Sequence, residues 1–515
     1  MYASPKNYQR RESLILIASF LRKACYAVAL TALVVVSGAG ADEIRLPDMG
    51  SPADAVLNKT EEARIGRAIM QQIRASGQLV EDPLINEYIS EIGHRIAAQT
   101  NDGEQNFTFF VVEDPNINAF ALPGGYIGVH TGLIDATRNE DELAGVLGHE
   151  IAHVTQRHIA RAIHANSRQS ILTTALMLGA IVLGASSGSA DATQAAIAVA
   201  QGTAVQQQIN FTRSNEYEAD RIGIAALADA GYDPHGMATF FEVMSRLQPA
   251  TPEMRAPEFL RTHPVTSARI AEARSRAREY PRSLSDDSVS YGISRARILV
   301  ERFETAAEAV AYYEARDYDN QTDIERYGRA AAYQRAGRHV EAMRIFEELL
   351  ARDQGVIAYH IGLGQTQFSL EMLDRGTDTF ERAVELFPRN VPLVIHYGEW
   401  LIQLGLAEKA HDMLLDLMNN VPPTPEQVRL LARAANDAGE IAEAYYYLSE
   451  YRLMTGDLIG GIGFLRQALA VPDLEEIQRI RFEARIDFIR EFMTEEQLKQ
   501  MQRSGPAGIA ARNGR

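Results

Sequence analysis

A period of 34 residues runs through the chain from about residue 323 to residue 456. Two positions of the period hold only Ala or Gly, and a third holds only Phe or Leu. Small residues let two paired helices approach closely, and the large residue fills the gap between them. The period therefore predicts four consecutive helix pairs; its three positions are Ala330, Gly364, Gly398 and Ala432, then Ala342, Gly376, Ala410 and Ala444, then Phe346, Phe380, Leu414 and Leu448.

The pattern resembles the tetratricopeptide repeat (TPR) over about four copies. The resemblance implies an all-α superhelix with a concave groove, which in such arrays holds peptides or partner proteins and does no chemistry. Trp400 is the only Trp of the chain, so the copies are degenerate, and after Gly456 the phase slips by half a repeat, as a capping helix would cause. The alternative is an ordinary helical bundle.

Residues 1–41 have the composition of a targeting segment. Five bases stand against one acid, Glu12, and the apolar run at 24–36 has 13 residues, too few to cross a bilayer comfortably. Ala39-Gly40-Ala41 then forms a small-residue cleavage pattern ahead of Asp42. We therefore predict a secretory signal peptide and a periplasmic mature protein. An uncleaved membrane anchor is the alternative.

Charge and cysteine content exclude two classes of site. The chain carries 68 Asp and Glu against 51 Lys and Arg, a formal net charge of −17. A net-negative surface repels phosphate, which argues against nucleic-acid binding. The single Cys, Cys25, excludes a disulfide framework and a Cys-based zinc site. Any metal must therefore be held by His and carboxylate side chains.

Residues 60–275 mix helix and strand signals, which predicts an α+β domain. A helix is expected to begin at Asn139, with Glu142 completing a capping box, and to continue to about Ala165. Earlier in the chain, helices are predicted at 60–76 and 84–99, a strand at 107–112, and two short extended pieces within 118–131 that flank a turn at Pro123-Gly124-Gly125.

The segment His149-Glu150-Ile151-Ala152-His153 places the His-Glu-x-x-His pattern on that helix. A spacing of four residues puts both imidazoles on one face, where they can reach one zinc ion with Glu150 beside it. A catalytic zinc needs a third protein ligand and one open position for water. The alternative is two histidines on a solvated helix without metal.

The third ligand must come from another part of the chain. The metzincin pattern would need Gly and His where the sequence has Gln156 and Ile159. His158 lies five residues after His153, so it is predicted to face away and to have a surface or outer-layer role. His164 is interpreted in the same way.

Two carboxylates of a downstream helix are the candidates for that third ligand. Glu216 and Asp220 are four residues apart and share one face, whereas Glu218 points elsewhere. One of the pair can bind zinc while the other accepts an N–H from a ligating imidazole. Their spacing alone leaves open which carboxylate does which.

The His-Glu-x-x-His motif, this carboxylate pair and Thr262-His263-Pro264 together resemble the gluzincin family of CAAX-prenyl proteases and HtpX. The signal peptide and the TPR array narrow the resemblance to the BepA-like (YfgC-like) periplasmic proteases. The long apolar spans of the membrane members are missing, which argues against prenyl-protein substrates. The resemblance implies one Zn²⁺ per chain, with His149, His153 and Glu216 as ligands, Glu150 as general base and Asp220 as the partner of a ligating imidazole.

His263 has three possible roles at this stage. It is our candidate for stabilising the oxyanion, held by the stiff step into Pro264. If it reaches the metal instead, it becomes a fourth ligand, displaces water and silences the enzyme. A loop residue with neither role is the third possibility. By analogy with zincins, substrate is expected to add as a strand at 118–122 or 126–130.

Residues 169–205 contain a mostly apolar run, a loop and an Ala-rich run. The first run is shorter than a comfortable membrane span. We predict a packed helical hairpin that covers the active site as a lid. A membrane-surface or partner-binding element is the alternative.

The fold class that follows is an α+β zincin-type metalloprotease domain, mostly helical with a small sheet, followed by an all-α TPR superhelix. The resemblance implies a periplasmic zinc endopeptidase for quality control and assembly of outer-membrane proteins at the β-barrel assembly machinery, with the TPR groove recruiting unfolded or misassembled substrates. A chaperone or scaffold with minor proteolysis is the alternative. Predicted boundaries are 1–41 (signal peptide), 42–275 (metallopeptidase), 276–300 (linker), 301–475 (TPR) and 476–515 (capping helix and flexible tail).

Overall fold

The computed structural model describes residues 57–100, 106–165, 213–247, 256–283 and 286–493, with residues 495, 497, 498 and 501 besides. The predicted signal peptide at 1–41 and the predicted hairpin at 169–205 lie outside these ranges. Among the helices that the structure describes, none combines the length and the apolarity that a membrane crossing requires.

A three-stranded sheet forms the non-helical part of the first half. Its strands are β1 (Thr108–Val112), β2 (Ala119–Leu122) and β3 (Tyr126–His130), in the order β1-β3-β2. β3 is parallel to β1 and antiparallel to β2, so β2 is an edge strand and β3 is not. Of the two segments expected to offer an edge to substrate, only 118–122 meets that condition.

Helices make up the rest of the first half. The predicted helices at 60–76 and 84–99 are present, capped by Asn58 and Asp82, whose side chains accept backbone N–H groups. The core of this half is a cluster of apolar side chains between the sheet and the helices. The helices are α1 (Lys59–Ala75), α2 (Pro83–Ala97), α3 (Thr131–Ala136), α4 (Glu140–Thr155), α5 (His158–Ala165), α6 (Arg213–Asp229), α7 (His235–Arg246), α8 (Glu258–Thr262) and α9 (Ser267–Ala277).

The motif helix α4 differs from its prediction at both ends. Asn139 caps it as expected, but the carboxylate of Glu142 accepts from the backbone N–H of Arg138 (2.8 Å) instead of closing a capping box. The predicted continuation to Ala165 is wrong, because α4 ends at Thr155. Arg157 has φ +52°, in the left-handed region that interrupts a helix, and α5 starts directly after it.

Glycines set how closely α4 packs on its neighbours. A Cβ built on Gly223 of α6 would lie 2.9 Å from the backbone carbon of Gly148 of α4. A Cβ on Gly145 would lie 2.7 Å from the Cα of Met237 of α7. Only residues without a side chain allow these approaches. The close α4–α6 contact brings the carboxylates of α6 next to the imidazoles of α4.

The second half consists of helix pairs at the predicted period. Gly364 and Phe380 meet within one pair, as do Gly398 and Leu414, so small and large positions face each other as the pattern requires. The TPR prediction is therefore confirmed in its helix pairing. The helices are α10 (Val289–Arg302), α11 (Ala306–Glu314), α12 (Asp323–Arg335), α13 (His339–Arg352), α14 (Ile357–Ser369), α15 (Leu373–Leu386), α16 (Val391–Gln403), α17 (Ala407–Asn420), α18 (Pro425–Asp437), α19 (Ile441–Met454), α20 (Leu458–Leu469) and α21 (Glu476–Glu491).

The predicted linker at 276–300 contains most of α10, which packs against both halves. The Tyr291 hydroxyl donates to the Thr137 carbonyl (3.0 Å). The Arg297 guanidinium donates to the Asp82 carboxylate (2.5 Å) and to the Tyr327 hydroxyl (2.8 Å). This segment therefore joins the two halves by specific contacts, while the domain boundaries stay a prediction.

Candidate metal centre

Two imidazoles of α4 face each other inside the first half. The Nε2 atoms of His149 and His153 lie 3.0 Å apart, and both side chains are buried. The structure thus brings these two predicted residues together, as their four-residue spacing requires.

Helix α6 supplies a carboxylate to the same point. Glu216 Oε2 lies 3.5 Å from His149 Nε2, and its Oε1 lies 3.5 Å from His153 Nε2. One turn further along α6, Asp220 Oδ1 lies 2.9 Å from Nδ1, the other ring nitrogen of His149. The two carboxylates that the spacing left equivalent therefore occupy different positions: Glu216 lies between the imidazoles, and Asp220 lies behind one of them.

His263 contributes a fourth atom. Its Nδ1 lies 3.3 Å from His149 Nε2 and 3.3 Å from Glu216 Oε1. One donor atom from each of His149, His153, Glu216 and His263 can be chosen so that all four lie within 4.8 Å of one another, and no second group of this kind occurs in the described part of the chain. Ligands of a tetrahedral zinc at ~2.0–2.1 Å lie about 3.3 Å apart. Five of the six pairs among these residues, measured to either Glu216 oxygen, are 3.0 to 3.5 Å apart, so the group fits a single metal ion.

Arg269 of α9 is a site residue that the sequence analysis missed. Its guanidinium donates to both Asp220 oxygens (2.8 and 2.7 Å), to Glu216 Oε2 (2.7 Å) and to the Pro264 carbonyl (2.9 Å). Like both carboxylates, it is almost fully buried. Burial would raise the pKa of both carboxylates, but contacts with His263 and His149 lower the pKa of Glu216, and hydrogen bonds from His149 and Arg269 lower the pKa of Asp220. The sequence did contain a chemical indication of such a residue, because two carboxylates buried on one helix face need a neighbouring cation.

Glu150 lies beside this group without joining it. Its Oε1 is 3.5 Å from His263 Nε2, and the residue is 1% exposed. Burial raises the pKa of Glu150 above its ordinary value, and a hydrogen bond from the backbone of Ala121 in β2 opposes that rise. A raised pKa makes a carboxylate a stronger proton acceptor, a property that favours general-base chemistry.

His158 does not face away, so that part of its prediction is wrong, whereas its contact with His153 agrees with the outer-layer role that was also expected. Because the chain kinks at Arg157, the imidazole turns back and its Nδ1 lies 2.8 Å from His153 Nδ1. Its Nε2 lies 3.1 Å from Oε2 of Glu218. His158 is fully buried, and burial lowers its pKa to about 4, so the ring is neutral. The side chain of His164 lies outside the part that the structure describes.

The two imidazoles of α4 differ electrostatically. Burial would lower the pKa of His149, but hydrogen bonds to Asp220 and Glu216 outweigh it and raise the pKa to about 9. Burial, and next the charge of the neighbouring His149 imidazole, lower the pKa of His153. Of these two imidazoles, the one that carries positive charge is therefore His149, which lies next to Asp220 and Arg269.

Comparison with known proteins places this arrangement in a family. Residues 83–277 match the model described as peptidase family M48. The chain is 33% identical over 486 residues to the Beta-barrel assembly-enhancing protease of Escherichia coli (strain K12), covering 92% of this chain and 97% of that protein. The protein of that name from Yersinia pestis is 33% identical over 467 residues, covering 86% and 91%. A tetratricopeptide repeat protein from Parabacteroides merdae has a solved structure that covers 52% of this chain and 97% of its own, with 14% identity and a TM-score of 0.25.

Proposed function

Since this chain belongs to peptidase family M48 and is a metalloprotease, we propose that its metal is zinc and that it is an endopeptidase. The observation that carries this proposal is the convergence of His149, His153 and Glu216 on one point, with Glu150 beside it. Two imidazole nitrogens and one carboxylate at tetrahedral separations suit zinc better than magnesium or calcium, which prefer more oxygen ligands.

The residues around the centre divide the chemistry between them. A zinc ion held by His149, His153 and Glu216 would lower the pKa of a water molecule and polarise the substrate carbonyl. Glu150 removes the proton from the attacking water and delivers it to the leaving amine. Asp220 accepts the Nδ1–H of His149, which keeps the Nε2 lone pair directed at the metal. Arg269 favours the ionised form of Asp220 and donates a hydrogen bond to Glu216.

His263 is, in this proposal, a fourth ligand of the resting enzyme. Its Nδ1 lies among the donor atoms and its Nε2 lies toward Glu150, which supports the silenced state over an oxyanion role. The burial of Glu150 and of the donor residues supports the same conclusion. We expect His263→Ala to cleave faster than the unmodified protein at equal zinc content. Unchanged or lower activity would contradict the silencing role, and lower activity would favour the oxyanion role.

Substrate binding is assigned to the edge of β2. The Asn118 carbonyl accepts from the His130 N–H (3.0 Å), so residue 118 turns its backbone groups toward β3. Successive residues of a strand turn these groups to opposite sides, and Ala119, which is buried, and Ala121, which is half-buried, therefore turn theirs away from β3. Ala121 also bonds to Glu150. An extended substrate chain paired with this edge would lie beside the general base.

The biological role is proposed from the relatives and from the first 41 residues. Relatives that match nearly the full chain are named for enhancing β-barrel assembly. A signal peptide at 1–41 would place the chain in the periplasm, where unfolded outer-membrane proteins pass. We assign the TPR half to binding these proteins or the β-barrel assembly machinery.

Cleavage of an unfolded outer-membrane protein by the purified, zinc-loaded chain tests the proposed activity. Glu150→Gln should keep its zinc and lose cleavage by at least 10²-fold, the upper range for a lost general base being about 10⁴-fold. Glu385→Gln, an exposed change on α15, is the matched control and should cleave normally. Equal cleavage by Glu150→Gln would refute the assignment.

A chaperone or scaffold is the second candidate, and the burial of the whole centre favours it. Full rescue of outer-membrane assembly by Glu150→Gln in a deletion strain would support that role. Failure to rescue, with normal protein levels, would support proteolysis as the main function.

A further inference from the structure

His153 is linked to the surface by a chain of side-chain contacts that the chemistry above does not use. His153 Nδ1 lies 2.8 Å from His158 Nδ1, and His158 Nε2 lies 3.1 Å from Glu218 Oε2. Arg161 donates to the same carboxylate oxygen (2.9 Å). The exposed fraction of the side chain rises along this series of contacts, from fully buried His158 to 27% for Glu218 and 43% for Arg161.

The Glu218 carboxylate, at the outer end of this series of contacts, determines which atom is the donor in each hydrogen bond. An ionised carboxylate only accepts, so a neutral His158 must carry its proton on Nε2 and present an unprotonated Nδ1. That Nδ1 then accepts the Nδ1–H of His153. A neutral His153 with its proton on Nδ1 has its free lone pair on Nε2, the atom that lies near His149 and Glu216.

The contact between His153 and His158 depends on a strained backbone conformation at Arg157. Arg157 adopts φ +52°, and a non-glycine residue in that region is strained. Its side chain donates to the Leu57 carbonyl (2.6 Å) and to Glu62 (3.1 Å), contacts that tie the kink to the start of α1. The kink is what turns His158 back onto His153.

We propose that His158 and Glu218 are positioning residues that lock His153 in the tautomer and orientation needed for metal binding. This inference rests on the proposed zinc function. In this arrangement the two proposed ligands of α4 are oriented differently. Asp220 contacts His149 directly, whereas Glu218 acts on His153 through the imidazole of His158. Helix α6 thereby serves the centre with Glu216, Glu218 and Asp220 at alternate positions.

Zinc affinity of the full-length protein, measured by competition with a chelating dye, tests the proposal. Loss of the outer partner of a ligating histidine weakens metal binding by roughly 10–100-fold, and we expect that change for His158→Leu. His158→Asn should recover most of the affinity, because its side-chain oxygen can accept the Nδ1–H of His153. Glu218→Ala, at a partly exposed position, should weaken zinc binding by about 10-fold, and Glu218→Gln by less.

The melting temperature with and without zinc separates positioning from general stability. Loss of positioning reduces the increase that zinc produces, whereas a purely structural defect lowers both temperatures equally and would overturn the proposal. His411→Leu, which removes a buried histidine of α17 bonded to Tyr447, is the matched control and should leave zinc affinity unchanged. If His158→Leu does not fold, unchanged affinity in Glu218→Ala overturns the inference. Absence of zinc binding by the unmodified protein would instead refute the proposed function.

Discussion

Replacing Arg269 by Met removes the cation from the centre while keeping a side chain of similar length over the ring of Phe241. The Arg269 guanidinium lies 4.7 Å from that ring and donates to Asp220, Glu216 and Pro264. The substitution therefore isolates the ionic contribution of one side chain. It removes the guanidinium from two carboxylates that are 2% and 3% exposed and leaves them only their contacts with imidazoles.

Removing one partner of a buried ion pair destabilises a protein by about 3–5 kcal/mol. For a domain of roughly 200 residues, each kcal/mol lowers the melting temperature by about 2–4 °C. We therefore expect a fall on the order of 10 °C for the metal-free protein. Zinc brings positive charge next to Glu216, so the zinc-loaded variant should lose less than the metal-free one.

Scanning calorimetry of full-length protein, with zinc and with a chelator, measures both effects. Arg274→Met is the matched control, because Arg274 lies on the same helix, is 52% exposed and pairs with Glu242 at the surface. Such surface pairs contribute about 0–1 kcal/mol. Equal destabilisation of the zinc-loaded and metal-free Arg269 variants, or a fall no larger than that of the control, would refute the ionic explanation.

Three further substitutions test the fold and its electrostatics. Glu371 occupies the left-handed turn position (φ +59°) that Gly337, Gly405 and Gly439 fill in the other repeats, so Glu371→Gly should stabilise the protein by roughly 0.5–1 kcal/mol in denaturant unfolding; a loss of stability would contradict this. Gly223→Ala should weaken zinc binding despite its better helix propensity, because its Cβ would lie 2.9 Å from the backbone of α4; unchanged affinity in the dye assay would show that the helices can separate freely. Burial raises the pKa of Asp141 from 3.8 to about 6 against the opposing N–H bond from Asp233, so the folded state disfavours the carboxylate and stability should fall as pH rises from about 4 to 6. Asp141→Asn should abolish that dependence and, after discounting for partial exposure, gain about 1 kcal/mol at pH 7 by denaturant unfolding; an unchanged pH profile would exclude Asp141 as its source.

The donor group and the repeats were accessible from the sequence because both follow from local geometry. A four-residue spacing places His149 and His153 on one helical face, and the same rule aligns Glu216 with Asp220. In the repeats, the steric match of Gly364 to Phe380 recurs at each period, so pattern and packing are one signal.

The kink at Arg157 and the ion pairs of Arg269 were not accessible in that way. An arginine gives no local sign of a left-handed conformation, and the contacts that hold it come from Leu57 and Glu62, at sequence separations of 100 and 95 residues. Arg269 reaches Asp220 across 49 residues. Contacts between residues far apart in sequence produce no periodic pattern. The positions of His158 and Arg269 could therefore be found only in the structure.

The zinc content of the purified full-length protein tests the central claim most directly. Metal analysis should find about one zinc per chain in the unmodified protein and in Glu150→Gln, and far less in His149→Ala, because the site loses one of its two proposed α4 ligands. His411→Ala should keep its zinc. An unmodified protein without zinc, or a His149→Ala protein that binds as much zinc as tightly, would contradict the assignment of this centre.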